Sequence, residues 1–168
     1  MRAGLQSLTR SGCLLVAILT ATADTRAQTV ATATGRFIVN PRTALALSPM
    51  SLSFPNADPD SVPKVSPSEG SLSVNVITRF VSGQAILTVL ASDDLRSGMT
   101  IIPVSALKWT ATGAGYVGGT VNKSVAQPMA SWNNSGNYLG AVSFTFDNSW
   151  TYAIGSYATI LTYTLTTP

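Results

Sequence analysis

Most of the chain alternates between apolar and polar positions. In SLSVNVITRF (residues 71–80), Leu72, Val74 and Val76 oppose Ser71, Ser73 and Asn75. A period of two sends one set of side chains to each face of a strand. QAILTVLAS (84–92) is apolar at nearly every position and reads as a central strand covered on both faces. The short SGQ between these two runs predicts a hairpin turn. TALALS and SLSF flank Pro49. ALKWTAT and GGTVN come later, and YLGAVSFTFDN places Val142, Phe144 and Phe146 on one face. In SYATILTYTLT, Tyr157, Thr159, Leu161, Tyr163 and Leu165 alternate with smaller residues. No 3.6-residue stripe is sustained. The β-branched residues suit a half-buried pleated surface, where their stiff side chains lose little freedom. The pattern predicts an all-β fold: a single immunoglobulin-like antiparallel β-sandwich of about seven to nine strands.

The punctuation agrees. NADPDSVPKVSPSEG (56–70) is a long Pro/Ser/Asp loop, and residues 28–43 form a lead or an extra strand before a domain at 44–168. Gly155-Ser156-Tyr157 stands before the last strand, where a tyrosine can bury its ring and bond a nearby backbone group, as in a tyrosine corner.

The first residues obey a different rule. Arg2 and Arg10 precede a short apolar run, CLLVAILTA (13–21), and small-residue cleavage sites end at Ala23 and Ala27. That order predicts a secretory signal peptide at 1–27, with an alternative cut after residue 23, and the run is too short for an ordinary membrane span. Cys13 opens the apolar run instead of following it, which argues against a lipoprotein. A cut after Ala27 leaves seven basic and six acidic residues, a cut after Ala23 eight and seven, and either gives a net charge of +1. The basic precursor therefore implies no nucleic-acid or anionic-membrane partner. The exported chain also loses Cys13, its one cysteine, so packing without disulfides must hold the fold. About 140 residues suffice for that, since a chain near this size buries roughly 68–70% of its unfolded surface.

Candidate chemistry is sparse. GAGYVGG (113–119) contains G-x-G-x-x-G, but a dinucleotide loop needs a helix after it, whose amides hold the pyrophosphate. Here TVNKS comes next and reads as strand, so the glycines are expected to supply positive φ between two strands. No cofactor is expected. The chain has no histidine, which removes imidazole-based triads and imidazole zinc ligands. Adjacent Asp93 and Asp94 at a strand end read as solvated turn residues rather than a catalytic pair, and no enzyme activity is expected. Calcium is the remaining ionic option. Asn56, Asp58 and Asp60 share one loop, and Asp93 and Asp94 could approach from another with hard oxygen ligands. Among the tryptophans, Trp109 reads as core and Trp150 as packing at the tyrosine corner. Trp132, in ASWNNSGN, is the candidate for stacking on a sugar ring. Asn122 and Asn133 begin glycosylation sequons that matter only on a eukaryotic secretory route.

LSPMSLSF, LTVLASDDLRSG, WTATGAGYVGGTV and NSWTYAIGSYATILTYTLTTP together resemble small exported bacterial β-sandwich proteins. The similarity is to surface proteins of the WxL type and, more distantly, to spore coat protein U-like pilin subunits. It covers about residues 44–168. QAILTVLA lacks the W-x-L tryptophan, and the cysteines common in the coat-U-like subunits are absent. The resemblance implies a surface or fibre protein without catalytic residues. In its fibre form, an N-terminal strand completes a neighbour's sheet. In TVATATGRFIVN the row Ala31, Ala33, Gly35, Phe37 and Val39 is the candidate assembly strand, against the alternatives of a disordered leader or a first strand of the same domain. The expected partners are a cell-surface molecule or a second copy, at a secreted or surface location.

Overall fold

The computed structural model describes residues 34–168. The expected signal segment, both cleavage positions, and Ala31 and Ala33 lie outside the described residues. Residues 34–40 are exposed and belong to no strand, so Gly35, Phe37 and Val39 do not form an extra strand of this domain. From Ile38 onward the chain is one compact unit.

Its strands are β1 (Arg42–Ser48), β2 (Lys64–Val65), β3 (Leu72–Arg79), β4 (Ala85–Ala91), β5 (Leu95–Ser97), β6 (Thr100–Ile102), β7 (Leu107–Thr112), β8 (Gly119–Thr120), β9 (Gln127–Trp132), β10 (Gly136–Asp147) and β11 (Leu161–Thr166). One 3₁₀ turn, Val104–Ala106, leads into β7. Every pairing is antiparallel. The larger sheet runs β1-β3-β10-β7-β8, with β2 paired to the far end of β10, and the smaller runs β11-β4-β9. A separate hairpin joins β5 and β6. Of the strands with six or more residues, four lie in the larger sheet and three in the smaller. This is a two-sheet antiparallel sandwich, as the alternation predicts.

The core is the set of inward positions. Val74, Val76 and Val142 from the larger sheet face Ala85, Leu87, Val89 and Met129 from the smaller, all fully buried. Trp109 and Phe144 tilt against each other with ring centroids 6.2 Å apart. On β4 the inner row is sealed while Ile86, Thr88 and Leu90 are half-buried on the outer face. Its central place between β11 and β9 agrees with the sequence reading, but only one of its faces is fully covered, where the apolar run predicts both.

Several local expectations need correction. The SGQ segment is not a hairpin turn: β3 pairs with β1 and β10, β4 with β11 and β9, so the chain crosses between sheets there. Each strand has one sealed face, Leu72, Val74 and Val76 on β3 and Ala85, Leu87 and Val89 on β4, and crossing lets both point into the same core. SLSF forms no strand, although Leu52 and Phe54 pack on the core. The last strand begins at Leu161, after an irregular stretch tied to β5 by the Arg96–Ala158 bridge. QPMASW, not read as a strand in the sequence, is β9. Its Pro128 breaks the pattern but sits on an edge strand at a register shift, where a missing N–H is tolerated. The shift turns consecutive Met129 and Ala130 both inward.

Tyr157 does form a tyrosine corner. Its hydroxyl donates to the Ala153 carbonyl at 2.8 Å, four residues upstream, and also lies 3.1 Å from Thr100 Oγ1. No helix among the described residues is long and apolar enough to cross a membrane.

Candidate functional site

Three parts of the fold carry the residues that the sequence marked for chemistry. The glycine-rich loop is the first. β7 and β8 flank it, with Trp109 in register with Gly119, and no helix comes after it. Gly113 and Gly115 take φ of 116° and 85°, as a turn between strands requires. The loop closes one side of the sandwich. Val117 N donates to the Met129 carbonyl at 2.9 Å, and Ser131 N donates to the Gly115 carbonyl at 3.0 Å, so the free edge of β9 is capped by the loop.

Tyr116, between these glycines, is buried. Its hydroxyl lies 3.2 Å from the carbonyls of both Val74 and Tyr138. Burial pushes its phenol up to about 12. Trp132 meets it edge-on at 5.2 Å and stacks on Tyr138 at 4.7 Å. The Trp132 indole N–H donates to Ala114 O at 2.7 Å, and that of Trp109 to Val117 O at 2.8 Å. Small residues let these rings approach: a Cβ on Gly119 would stand 2.5 Å from the Trp109 ring. The loop is therefore a packing device.

This corrects the reading of Trp132. At 5% exposure, with one face under Tyr138, it has no free face for a sugar ring. The neighbouring turn residues suggest exposure, but Trp132 ends β9 on its inward side. Trp150 is the reverse case. Expected to pack, it is 69% exposed. Two residues on, Tyr152 is the aromatic side chain that packs inward, tilting on Phe146 at 5.7 Å. Trp109 is core, as expected.

The second part is the end of the sandwich where β3 and β7 begin and β4 and β10 finish, here called the apical end. Asp58 Oδ1 accepts from Asp60 N at 2.9 Å and its carbonyl accepts from Val62 N at 2.7 Å, an Asx-type turn. Asn148 pins this loop by donating from Nδ2 to Ala57 O at 2.9 Å. Asp93 and Asp94 stand elsewhere on the same end. Arg96 Nε donates to Asp93 at 2.6 Å, Val104 N donates to Asp94 at 3.0 Å, and Lys123 reaches both carboxylates. A shallow cleft of about 290 Å³ opens beside them, lined by Ser92, Arg96, Ala158 and Ile160 among others.

The five oxygen donors read as calcium ligands are thus divided between separate loops, and Asp58, Asp60, Asp93 and Asp94 already accept hydrogen bonds there. Among the described residues, no three His, Cys, Asp or Glu side chains gather as a metal site. Arg96 and Lys123 take the place a cation would hold beside Asp93 and Asp94, a contact that the spacing of charges along the chain does not reveal.

The Arg96 hydrogen bond is the main reason that Asp93 titrates low, at about 2, with the Asp94 amide adding to it. A carboxyl held below its unfolded value favours the fold above that value and loses its contribution as pH falls through its folded value. The contribution should therefore fade between about pH 4 and pH 2. Both partners are exposed, so the effect is modest. An NMR titration of the Asp93 carboxyl should give a midpoint near the low value. In Arg96→Ala the midpoint should return toward the ordinary carboxylate range, and an unmoved midpoint would refute this cause.

The third part is the lead. Phe37, Ile38 and Val39 are 90%, 75% and 71% exposed. No family model matches the chain, and no curated protein matches it.

Proposed function

We propose that the chain is an exported, non-enzymatic β-sandwich with a structural or adhesive role at a bacterial cell surface. The supporting observation is how the fold uses its chemically capable residues. Trp132, Tyr116 and the loop glycines are packing parts, while Asp93 and Asp94 tie loops together through Arg96 and Lys123. The positively charged start, apolar run and small-residue cleavage sites supply the export half of the reading. A glycan- or calcium-binding module has less support, because Trp132 is covered and the oxygen donors are divided between loops.

The test is expression of the full-length gene in a bacterial host, with fractionation and N-terminal sequencing. The expected product begins at Asp24 or Gln28, leaves the cytoplasm and is labelled by a reagent that cannot enter intact cells. A cytoplasmic product that retains Met1 would overturn the reading.

One observation favours a pilus-type subunit as the second reading. β1 and β11 each form one edge of their sheet and are paired on one side only among the described residues. Their inward residues Leu45, Leu47, Leu161, Tyr163 and Leu165 are half-buried, unlike the sealed inner row of β4. Such an edge can accept an added strand, and the lead at 28–40 is the segment to supply it. Deleting 28–40 should then abolish polymers while leaving a folded monomer. Polymers that survive the deletion would refute strand donation by the lead.

A further inference from the structure

The ionised side chains of the compact unit are segregated by end. All six of its carboxylates, Asp58, Asp60, Glu69, Asp93, Asp94 and Asp147, stand at the apical end. Lys64, Arg96, Lys108 and Lys123 share that end, and four cations against six anions leave −2. The opposite, basal end carries Arg42 and Arg79 and none of these carboxylates, for +2. These two arginines are register partners across β1 and β3, so like charges face each other on the outside of the sheet. That placement is unfavourable by itself. Both are exposed, and among the described residues neither has an ion-pair partner.

The apical carboxylates are not equally neutralised. Asp93 and Asp94 have Arg96 and Lys123, and Asp147 has Lys108 at 2.6 Å. Asp58 and Asp60 have no such cation among the described residues. Beside them Trp150 donates its indole N–H to Asp60 Oδ1 at 3.0 Å, which holds an exposed ring against the carboxylate. An aromatic face next to an unpaired carboxylate suits a guanidinium, which can stack on the ring while it donates to the oxygens. Apolar side chains adjoin both corners: Val62 near Asp60, and Ile38, Val39 and Val81 at the basal end, all exposed.

The geometry points to head-to-tail self-association, in which Arg42 and Arg79 of one copy seat on the Asp58, Asp60 and Trp150 corner of a second copy. The partner is a second copy because one chain carries both halves of the contact, opposite in sign and equal in net charge. The outer faces between the ends compete little, since Ala46, Asn75 and Leu139 on one sheet and Thr88, Thr162 and Thr164 on the other are uncharged. A contact joining opposite ends is heterologous and extends along one axis unless the rotation closes a ring. This deepens the structural reading above by naming its partner, but it does not depend on where the cell places the chain.

The experiment is sedimentation velocity over a concentration series, on protein made from the full-length gene and recovered as the cell leaves it. Wild type should gain mass with concentration. Raising ionic strength from about 0.1 M to about 1 M shortens the screening length from about 10 Å to about 3 Å and should weaken association at least about tenfold. Arg79→Glu and Asp60→Lys should each weaken it by a similar factor, and the double reversal in one chain should restore most of it. All these positions are exposed, and matching thermal melts would show that the variants fold. A monomer at every concentration in low salt would overturn the proposal. So would association that ignores both reversals, or single losses that the double reversal does not repair. A chain that associates in this way but stays in the cytoplasm would overturn the surface role and not this contact. A surface-exposed monomer would do the opposite.

Discussion

Trp132→Ala is expected to destabilise the domain by about 3–5 kcal/mol, the usual cost of removing a large aromatic from a packed core. The change removes the stack on Tyr138, the edge contact with Tyr116 and the hydrogen bond to Ala114 together. A domain of this kind has about 5–15 kcal/mol in total. The variant should therefore melt far lower, or fail to accumulate folded. Trp132→Phe keeps an apolar ring and loses the indole N–H. Ala114 is exposed, so water can replace the donor, and the cost should be about 0.5–1.5 kcal/mol for that bond. Chemical denaturation of the pair checks both values. An alanine variant that melts like wild type while losing affinity for a sugar would restore the binding-platform reading.

Gly115→Val should cost at least about 3 kcal/mol, for two separable reasons. At φ 85° a β-branched residue is strained, by about 1–3 kcal/mol. A Cβ there would also stand 2.6 Å from the Ser131 carbonyl oxygen and 2.5 Å from the Trp132 indole nitrogen. Neither neighbour can retreat easily, because Ser131 N is bonded to the Gly115 carbonyl and Trp132 is stacked. Gly98 isolates the first reason. It also has positive φ, at 57°, but a Cβ there meets nothing within 4 Å. Gly98→Ala should therefore cost only about 1–2 kcal/mol. Equal losses at the two sites would mean that backbone strain alone explains the glycine loop, and that its packing against β9 contributes little.

The same loop shows where reading along the chain stops. GAGYVGG is recognisable as a turn rather than a nucleotide loop, because the TVNKS run after it lacks helix signals. Nothing within the glycine run announces that Tyr116 enters the core between two strands distant in sequence. Its partners, Val74 and Tyr138, lie 42 and 22 residues away. Asp93 and Asp94 are similar. Their position at a strand end is readable, but Lys123, which reaches both, is 29 residues beyond Asp94.

Alternation of period two is a property of one strand, imposed by the pleat, so β1, β3, β7, β10 and β11 are visible from short windows, and β4 from its continuous apolar run. The all-β class comes from them, as the exclusion of histidine chemistry comes from composition. Which sheet a strand joins is not contained in its own window. β3 and β4 look like a hairpin because their turn is short, yet each finds better partners in a different sheet once both apolar faces have to share a core. β9 is hidden because Pro128 disrupts the local pattern, and only its place at a bulged edge makes the proline acceptable. Trp132 and Trp150 sit in equally polar surroundings along the chain. One ends a strand beneath a folded loop and the other leaves a strand for solvent. Burial is decided by what folds over a residue, which only the assembled tertiary structure specifies.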